Sequence, residues 1–206
     1  DITITDGTFD ANGRPITLLG SWTNSDTYTH NNNTVTFDGS GADTLNPGGS
    51  SFYNVIKTDV GTLTLTTNAL TIDNNLQIGA GAVFTMAGID FTVTGTLDCN
   101  ATGRLDLTGE QAIQSIGTMD INSGTVRYYD GAGDGTIRLT EFFNLQIAGT
   151  ARTFSLNAVT DVNNDLDIAG GNPRSTHSLP ACRRPLTHLG RGRGPTHIDD
   201  AHQNPT

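Results

Sequence analysis

The chain has 206 residues, of which 16% are charged, and its formal net charge is −10. Gly, Thr and Asn crowd residues 1–170 and Lys57 is the only lysine, a composition that argues against a helical protein. The acidic balance argues against nucleic acid as a partner, because phosphates would be repelled. No stretch approaches the roughly 18 consecutive apolar residues that a membrane span requires.

The N-terminal part of the chain consists of short segments in which apolar and polar residues alternate. They are ITIT at 2–5, PITLL at 15–19, TVTF at 34–37 and FYNVI at 52–56. Such alternation is typical of strands with one buried face. Turn signals such as Asn12-Gly13 and the glycine-rich residues 38–51 separate the segments, so the sequence predicts an all-β protein.

Residues 62–81 show the clearest alternation. Their apolar positions are Leu63, Leu65, Leu70, Ile72, Leu76 and Ile78. The residues between them are mostly Thr, Asn, Asp and Gln, and the bursts are broken by turn residues. We therefore predict that this stretch forms two sides of a coil, with Asn74-Asn75 at the corner.

Similar segments recur along the chain. FYNV at 52–55 matches FFNL at 142–145, and IDNNLQI at 72–78 matches VNNDLDI at 162–168, both at an offset of 90. A second correspondence runs at an offset of 75, from residues 9–20 to residues 84–95. The difference between the two offsets predicts a long unit made of smaller rungs, one of which is missing from one copy.

From these repeats we predict a parallel β-solenoid over residues 1–171, right-handed as parallel crossovers generally are. Stacked coils would align their inward side chains into one continuous core. Equivalent asparagines would hydrogen-bond along the stack, although Asn is also a common turn residue in its own right. An antiparallel β-sandwich is the alternative fold.

The composition changes after Gly171. Residues 172–206 carry five of the seven prolines, five arginines and four of the five histidines, without any alternating segment. Proline at this density interrupts sheet ladders, so we expect a disordered or loosely docked tail. Our hypothesis is that the tail is out-of-frame or vector-derived sequence, and an in-frame tail in the parent gene would contradict it.

Carboxylates at outward strand positions are the first candidates for chemistry. Asp98, Asp106 and Asp120 lie in successive segments, with Arg104 and Arg127 near them in sequence. In a polysaccharide-acting β-helix, several carboxylates and a basic residue project from one face of neighbouring coils. The alternative is that these aspartates are solvated residues of a polar strand face. The sequence shows no credible Ser/His/Asp set, phosphate loop or metal-spaced Cys/His cluster, so we expect no enzyme.

Two glycine-rich turns are candidates for calcium. They contain Asp38 and Asp43 in DGSGAD, and Asp130 and Asp134 in DGAGD. Carboxylates separated by glycines can surround a hard cation, with backbone carbonyls completing its shell. Calcium is therefore the one cofactor that the sequence suggests, and ordinary turn chemistry is the alternative.

Several Thr-x-Thr triplets form the third pattern. They are Thr3/Thr5, Thr27/Thr29, Thr34/Thr36, Thr62/Thr64/Thr66 and Thr92/Thr94. An ice-binding solenoid would align such threonines on one flat face. Their spacing here is irregular, and outward Thr is also simply a good strand residue.

The stretches GSWTNSDTYTHNNNTVTFDGSGADTLNPGGSSFYNV and ALTIDNNLQIGAG resemble the Thr/Asn/Gly-rich repeats of large bacterial surface proteins, the adhesin-like β-solenoids. The resemblance covers most of residues 1–170. It implies an extracellular or cell-surface location and a non-catalytic structural or adhesive role, with a surface glycan as the candidate partner.

Three further expectations concern function. Uncapped ends of a coil stack expose backbone hydrogen-bonding groups, which favours end-to-end self-association. A polysaccharide-binding or polysaccharide-cleaving β-helix is the first functional alternative. An ice-binding solenoid is the second.

Overall fold

The computed structural model describes residues 1–169, and within this range the chain is an all-β parallel β-solenoid of about eight turns. The predicted fold class is confirmed, and the antiparallel sandwich is not formed. The right-handed sense stays a prediction. Residues 1–169 contain no helix long and apolar enough to cross a membrane. The hypothesis about residues 172–206 lies outside the described residues.

The first side of the solenoid is a nine-stranded parallel sheet, here called sheet 1. Its strands in spatial order are β1 (Ile2–Ile4), β4 (Trp22–Asn24), β7 (Ala42–Asn46), β9 (Gly61–Leu65), β12 (Ala82–Thr85), β14 (Arg104–Leu107), β16 (Thr125–Tyr128), β18 (Glu141–Ile147) and β20 (Asp161–Ile168). Spatial order equals chain order, so each coil adds one strand. The length of a coil varies, because a short coil leads from Thr125 to its partner Asn144 and a longer one from Trp22 to Leu45.

A second parallel sheet of seven strands, here called sheet 2, bends around a corner and covers parts of two further sides. Its strands are β3 (Ile16–Leu18), β6 (Thr34–Phe37), β8 (Asn54–Lys57), β10 (Leu70–Ile72), β11 (Leu76–Ile78), β13 (Phe91–Cys99) and β15 (Gln114–Met119). The long β13 turns a corner, because its first residues pair with β10 and its last residues pair with β11.

The remaining side is more fragmentary. Strand β2 (Thr8–Asp10) pairs with β5 (Thr27–Thr29), and β17 (Gly135–Ile137) pairs with β19 (Phe154–Leu156). An isolated parallel bridge from Phe52 to Ile72 of β10 continues this side between these pairs. Each coil therefore has three sides. Residues 62–81 contain parts of β9, β10 and β11, so they run along three sides of a coil where the sequence predicted two.

The offsets of 90 and 75 residues between similar segments do not reveal the length of a coil. Leu76 pairs within sheet 2, whereas Leu166, its counterpart at an offset of 90, pairs within sheet 1. The offset therefore carries a strand onto another side of the solenoid. The smaller rungs predicted from the difference of 15 residues are not the coils, because register partners in sheet 1 lie 19 to 23 residues apart. Every side has a similar alternating strand and a similar Asn or Gly corner. A sequence match between strands on two different sides was therefore interpreted as a match between equivalent strands of two coils.

Inward side chains stack into continuous columns. Leu63, Phe84, Leu105, Val126 and Leu145 are successive register partners in sheet 1, and each is at most 3% exposed. Burying one such side chain stabilises a fold by about 1.5–3 kcal/mol. The alternating pattern thus places one large apolar group per coil in the same position of the core.

Aromatic rings fill the core of the first coils. Trp22 lies edge-on to Tyr28 at 4.8 Å and to Phe52 at 5.2 Å between ring centroids. Phe9, from the preceding coil, lies 6.3 Å from Trp22 and remains 37% exposed. These four rings form one aromatic cluster in the core of the first coils.

Asparagine side chains connect the corners of successive coils. Asn74 Nδ2 donates to Asn54 Oδ1 at 2.9 Å, and Asn54 Nδ2 donates to Thr34 Oγ1 at 3.2 Å. Farther along, Asn164 Nδ2 donates to Asn144 Oδ1 at 2.7 Å. The predicted hydrogen bonding of asparagines along the stack is confirmed, with Asn74 at a corner.

Candidate functional site

The first predicted calcium turn lies beside the buried ammonium group of Lys57. The Lys57 side chain is fully buried, and Nζ donates to Gly39 O at 2.6 Å and to Asp59 O at 2.7 Å. Desolvation lowers the pKa of Lys57, while the negative charges of Asp43, Asp59 and Asp38 act in the opposite direction. The carbonyl oxygen of Gly39, in the predicted calcium turn, is therefore bonded to the ammonium group of Lys57.

Asp43 is directed toward the interior. Its register partner is Leu63, a member of the sheet 1 core column, and its Oδ2 atom is buried without a hydrogen bond. Asp38 has a different role, because its Oδ1 atom accepts a hydrogen bond from Thr58 Oγ1 at 2.5 Å. Asp38 is thus bonded to a neighbouring hydroxyl, while Asp43 Oδ2 is enclosed without a donor.

The second predicted calcium turn binds a carboxylate instead. Gly133 N donates to Glu110 Oε1 at 2.6 Å. Asp130 Oδ1 accepts from Thr150 N at 2.5 Å, and Asp134 Oδ1 accepts from Thr153 N at 2.8 Å. Within residues 1–169, no group of three or more His, Cys, Asp or Glu side chains is arranged to hold a metal ion.

Three of the five candidate carbohydrate residues come together on sheet 1. Asp106 is 3% exposed and lies between two guanidinium groups, with Arg104 Nε 2.7 Å from Oδ1 and Arg127 Nη2 2.5 Å from Oδ2. Both arginines donate twice to this carboxylate. Such charge-assisted pairs are strong and directional, and they hold the outer surface of two neighbouring coils together.

Asp98 and Asp120 lie on another side. Leu97 and Met119 are register partners in sheet 2, so Asp98 and Asp120 are one coil apart there, away from Asp106. Asp98 Oδ2 accepts from Gln77 Nε2 at 2.9 Å. The predicted single row of Asp98, Asp106 and Asp120 is therefore not formed. The chain between Asp98 and Asp106 includes a corner, which the sequence pattern did not reveal.

The sequence interpretation missed a polar group beside Asp106. The guanidinium of Arg127 lies 5.2 Å from the ring centroid of Tyr129, and Arg152 Nη1 donates to Tyr129 O at 3.0 Å. Arg152 Nη2 is 3.6 Å from Glu110 Oε1. Burial raises the pKa of Tyr129, with a smaller contribution from Asp106. These residues form a corner that is held together by ion pairs.

The threonine triplets do not share one side. Thr3 and Thr64 lie in sheet 1, Thr36 lies in sheet 2, and Thr27 lies on the third side. The longest aligned run in sheet 1 is Thr44, Thr64 and Thr85, which ends where Asp106 takes the next position. The structure therefore does not place the triplets on the single face that ice binding would use.

A shallow polar depression lies at another corner, here called the histidine depression. Its lining consists of Tyr28, Thr29, His30, Asn31, Asn32 and Ser51. The separation of His30 from Ser51, and that of Ser51 from Asp73, each equals the length of one coil. Three consecutive coils therefore bring these side chains together. A correct coil length would have allowed this group to be predicted from the sequence.

Hydrogen bonds fix the imidazole of His30. His30 Nε2 is 3.1 Å from Asp73 Oδ2, and Ser51 Oγ donates to the same oxygen at 2.9 Å. Asn32 N donates to His30 Nδ1 at 3.0 Å. These contacts assign the proton of a neutral imidazole to Nε2. Because Ser51 contacts the carboxylate rather than the imidazole, the three residues do not form a nucleophilic triad.

Backbone and ring contacts support the same depression. Asn31 and Asn32 adopt left-handed φ values of 46° and 61°, which Asn tolerates better than most residues. Asn31 Nδ2 donates to Asp10 Oδ1 at 2.7 Å. The Tyr53 ring stacks on His30 with centroids 5.8 Å apart. The side chains of Asn31 and Asn32 line the candidate site.

Comparison of the chain with protein-family models, with curated proteins and with solved structures found no match. The function is therefore argued from the geometry above.

Proposed function

We propose that the chain is a non-catalytic structural and adhesive segment of a larger secreted or cell-surface bacterial protein, with a surface glycan as its partner. The observation that carries this proposal is the unbroken stack of nine parallel strands in sheet 1. Neighbouring strands lie about 4.8 Å apart, so eight turns form a rod roughly 40 Å long. A rod with repeated lateral faces is suited to spacing and display.

The arrangement of ionisable groups supports a non-catalytic role. Asp106 is buried between two arginines, whereas Asp98 lies on another side of the solenoid. A glycosidase needs two carboxyl groups flanking one bond, about 5–10 Å apart. The candidate carboxylates do not present that pair.

The adhesive role is tested on a glycan array, with calcium and with a chelator. We expect binding to at least one class of glycan and the same binding in both conditions. The absence of binding to any glycan would contradict the adhesive part of the proposal.

The polysaccharide-cleaving alternative is favoured by one observation, the Arg104–Asp106–Arg127 group. Release of reducing sugar from soluble polysaccharides measures it directly. We expect no release, and release that is lost in Asp106→Asn would establish the alternative.

We also propose that end-to-end self-association is limited by charge. Among the described strands, β1 and β20 are the outer members of sheet 1. The acidic residues near these two positions are Asp1, Asp6, Asp10, Asp161, Asp165 and Asp167. Charged side chains at sheet edges oppose edge pairing, and the Debye length falls to about 3 Å at 1 M salt. We expect the mass from light scattering to rise with salt, and a constant mass would contradict this.

A further inference from the structure

We infer that the histidine depression binds one ring of a neutral sugar. This inference rests on the proposed glycan-binding function and deepens it by naming a site and a ligand class. The site is lined by His30, Ser51 and the Asn31-Asn32 turn, and Asp73 of the next coil contacts both His30 and Ser51.

The lining offers the groups that recognise hydroxyls. Asn31 and Asn32 provide amides, each with donors and an acceptor, and Thr29 and Ser51 provide hydroxyls. The side-chain amide of Asn32 makes no hydrogen bond within residues 1–169, and Asn32 is exposed. Asp73 Oδ2 holds both His30 Nε2 and Ser51 Oγ, so this carboxylate positions two of the lining side chains. Mixed hydrogen-bond donors and acceptors match the hydroxyl groups of a sugar ring.

The charge of the site selects a neutral ligand. Asp73 and Asp10 both contact residues of the depression. No Lys or Arg side chain of the described residues forms a hydrogen bond or an ion pair with the lining side chains, so an anionic sugar would meet negative charge without compensation. Within residues 1–169, no group of three or more His, Cys, Asp or Glu side chains, those of the depression included, is arranged to hold a metal ion. A neutral sugar would not be repelled by the two carboxylates and would not depend on a metal ion.

The depression is also preorganised. The His30–Asp73 contact joins two coils across the coil that contributes Ser51, and the Tyr53 ring stacks on the imidazole. Groups that are already fixed lose little conformational freedom when a ligand binds. Small-molecule sites are usually largely formed before the ligand binds.

The test compares the full chain with two variants and one control. Asn32→Gly removes the free amide and suits the left-handed φ of 61°, and Asp73→Asn alters the carboxylate with nearly constant shape. Thr67→Gly is the control, because Thr67 has a similar φ of 68° but lies at the corner between β9 and β10. The probes are neutral oligosaccharides of glucose, mannose and galactose, with galacturonic acid oligosaccharides for comparison. The affinity for the best probe is then measured by calorimetry.

We expect the wild type to bind a neutral oligosaccharide, with binding at least about tenfold weaker in Asn32→Gly and in Asp73→Asn, a loss of about 1.4 kcal/mol. Thr67→Gly should bind like the wild type. Unchanged affinity in both variants, or wild-type binding to galacturonic acid oligosaccharides alone, would overturn the sugar site and leave the adhesive function standing. A wild type that binds no glycan would overturn the adhesive function as well.

Discussion

Lys57 Nζ lies 2.6 Å from the carbonyl oxygen of Gly39, which belongs to a turn one coil earlier. The side chain is fully buried and also donates to Asp59 O at 2.7 Å. The only lysine of the chain thus lies inside a turn that sequence reasoning assigned to calcium. The positive charge near Asp43 therefore belongs to a side chain of the protein, and no bound ion is needed to supply it.

Replacing Lys57 by Met should strongly destabilise the solenoid. The substitution leaves Gly39 O and Asp59 O without their donor and removes a positive charge that interacts with Asp43, whose Oδ2 atom is buried without a hydrogen bond. Each buried carbonyl oxygen left without its donor costs about 1–3 kcal/mol. Urea denaturation of wild type and variant measures the free energy of unfolding, and a variant as stable as the wild type would contradict this role.

A double variant separates charge from packing. Lys57→Met with Asp43→Leu places apolar groups at two positions whose register partners, Ile78 and Leu63, are buried and apolar. Replacing a buried ion pair by apolar residues is often neutral or stabilising. We expect the double variant to recover at least half of the lost stability.

Calcium should have little effect on thermal stability. A ligand that binds only the folded state raises the melting temperature as its concentration rises. Because Lys57 and Glu110 are bonded within the two candidate turns, we expect melting temperatures in calcium and in chelator to agree within about 1 °C. A calcium-dependent increase that disappears in Asp130→Asn would restore the calcium hypothesis for the second turn.

The free energy of unfolding should fall in alkaline solution through Cys99. Burial raises the pKa of this thiol from 9.0 to about 12, with added repulsion from Asp98 and Asp120. The folded state therefore favours the neutral thiol. Its contribution is fully present below pH 9 and is lost between pH 9 and 12, at about 1.4 kcal/mol per pH unit.

Other groups titrate in the same range, so the thiol is isolated by comparison. Burial also raises the pKa of Tyr28, from 10.0 to about 12. Urea denaturation of wild type and Cys99→Ala between pH 8 and 11 should show a shallower decline for the variant. Equal slopes would contradict the assignment to Cys99.

Asn54→Ala should weaken the corner of sheet 2. Asn54 Oδ1 accepts from Asn74 Nδ2 and from Asn75 N, and Asn54 Nδ2 donates to Thr34 Oγ1. Losing these bonds at a partly buried position should cost about 1–3 kcal/mol. Asn68→Ala is the matched control, because the Asn68 side chain makes no hydrogen bond within the described residues, and it should change stability by less than about 0.5 kcal/mol. Equal effects of the two substitutions would exclude a stabilising Asn ladder.

The local alternation of apolar and polar residues was sufficient to predict the class of fold. Alternation at Leu63 and Leu65 predicted burial, and both side chains are completely buried. The Asn74 corner was predicted from turn chemistry and confirmed by its bond to Asn54. These features depend on neighbours in sequence or on the period of a strand, which a single sequence displays.

The candidate sites depended on the length of the coil, which differs from one coil to the next. Shorter rungs would not bring His30 next to Asp73, and they would place Asp98 and Asp106 on one face. Lys57 escaped notice because a lone lysine in a strand pattern usually points to solvent. Its burial depends on carbonyl oxygens from a separate turn, and that contact has no local sequence signal.

Cysteine cross-linking tests the central claim, the in-register stacking of successive coils, most directly. Thr64 and Thr85 are register partners in neighbouring strands of sheet 1. Parallel neighbours about 4.8 Å apart are within disulfide reach. In a background with Cys99→Ala and Cys182→Ala, the pair Thr64→Cys with Thr85→Cys should form an intramolecular disulfide, measured by intact mass after thiol alkylation. The pair Thr64→Cys with Thr71→Cys, on different sides of one coil, should stay reduced. Cross-linking of the second pair and not of the first would contradict the coil register.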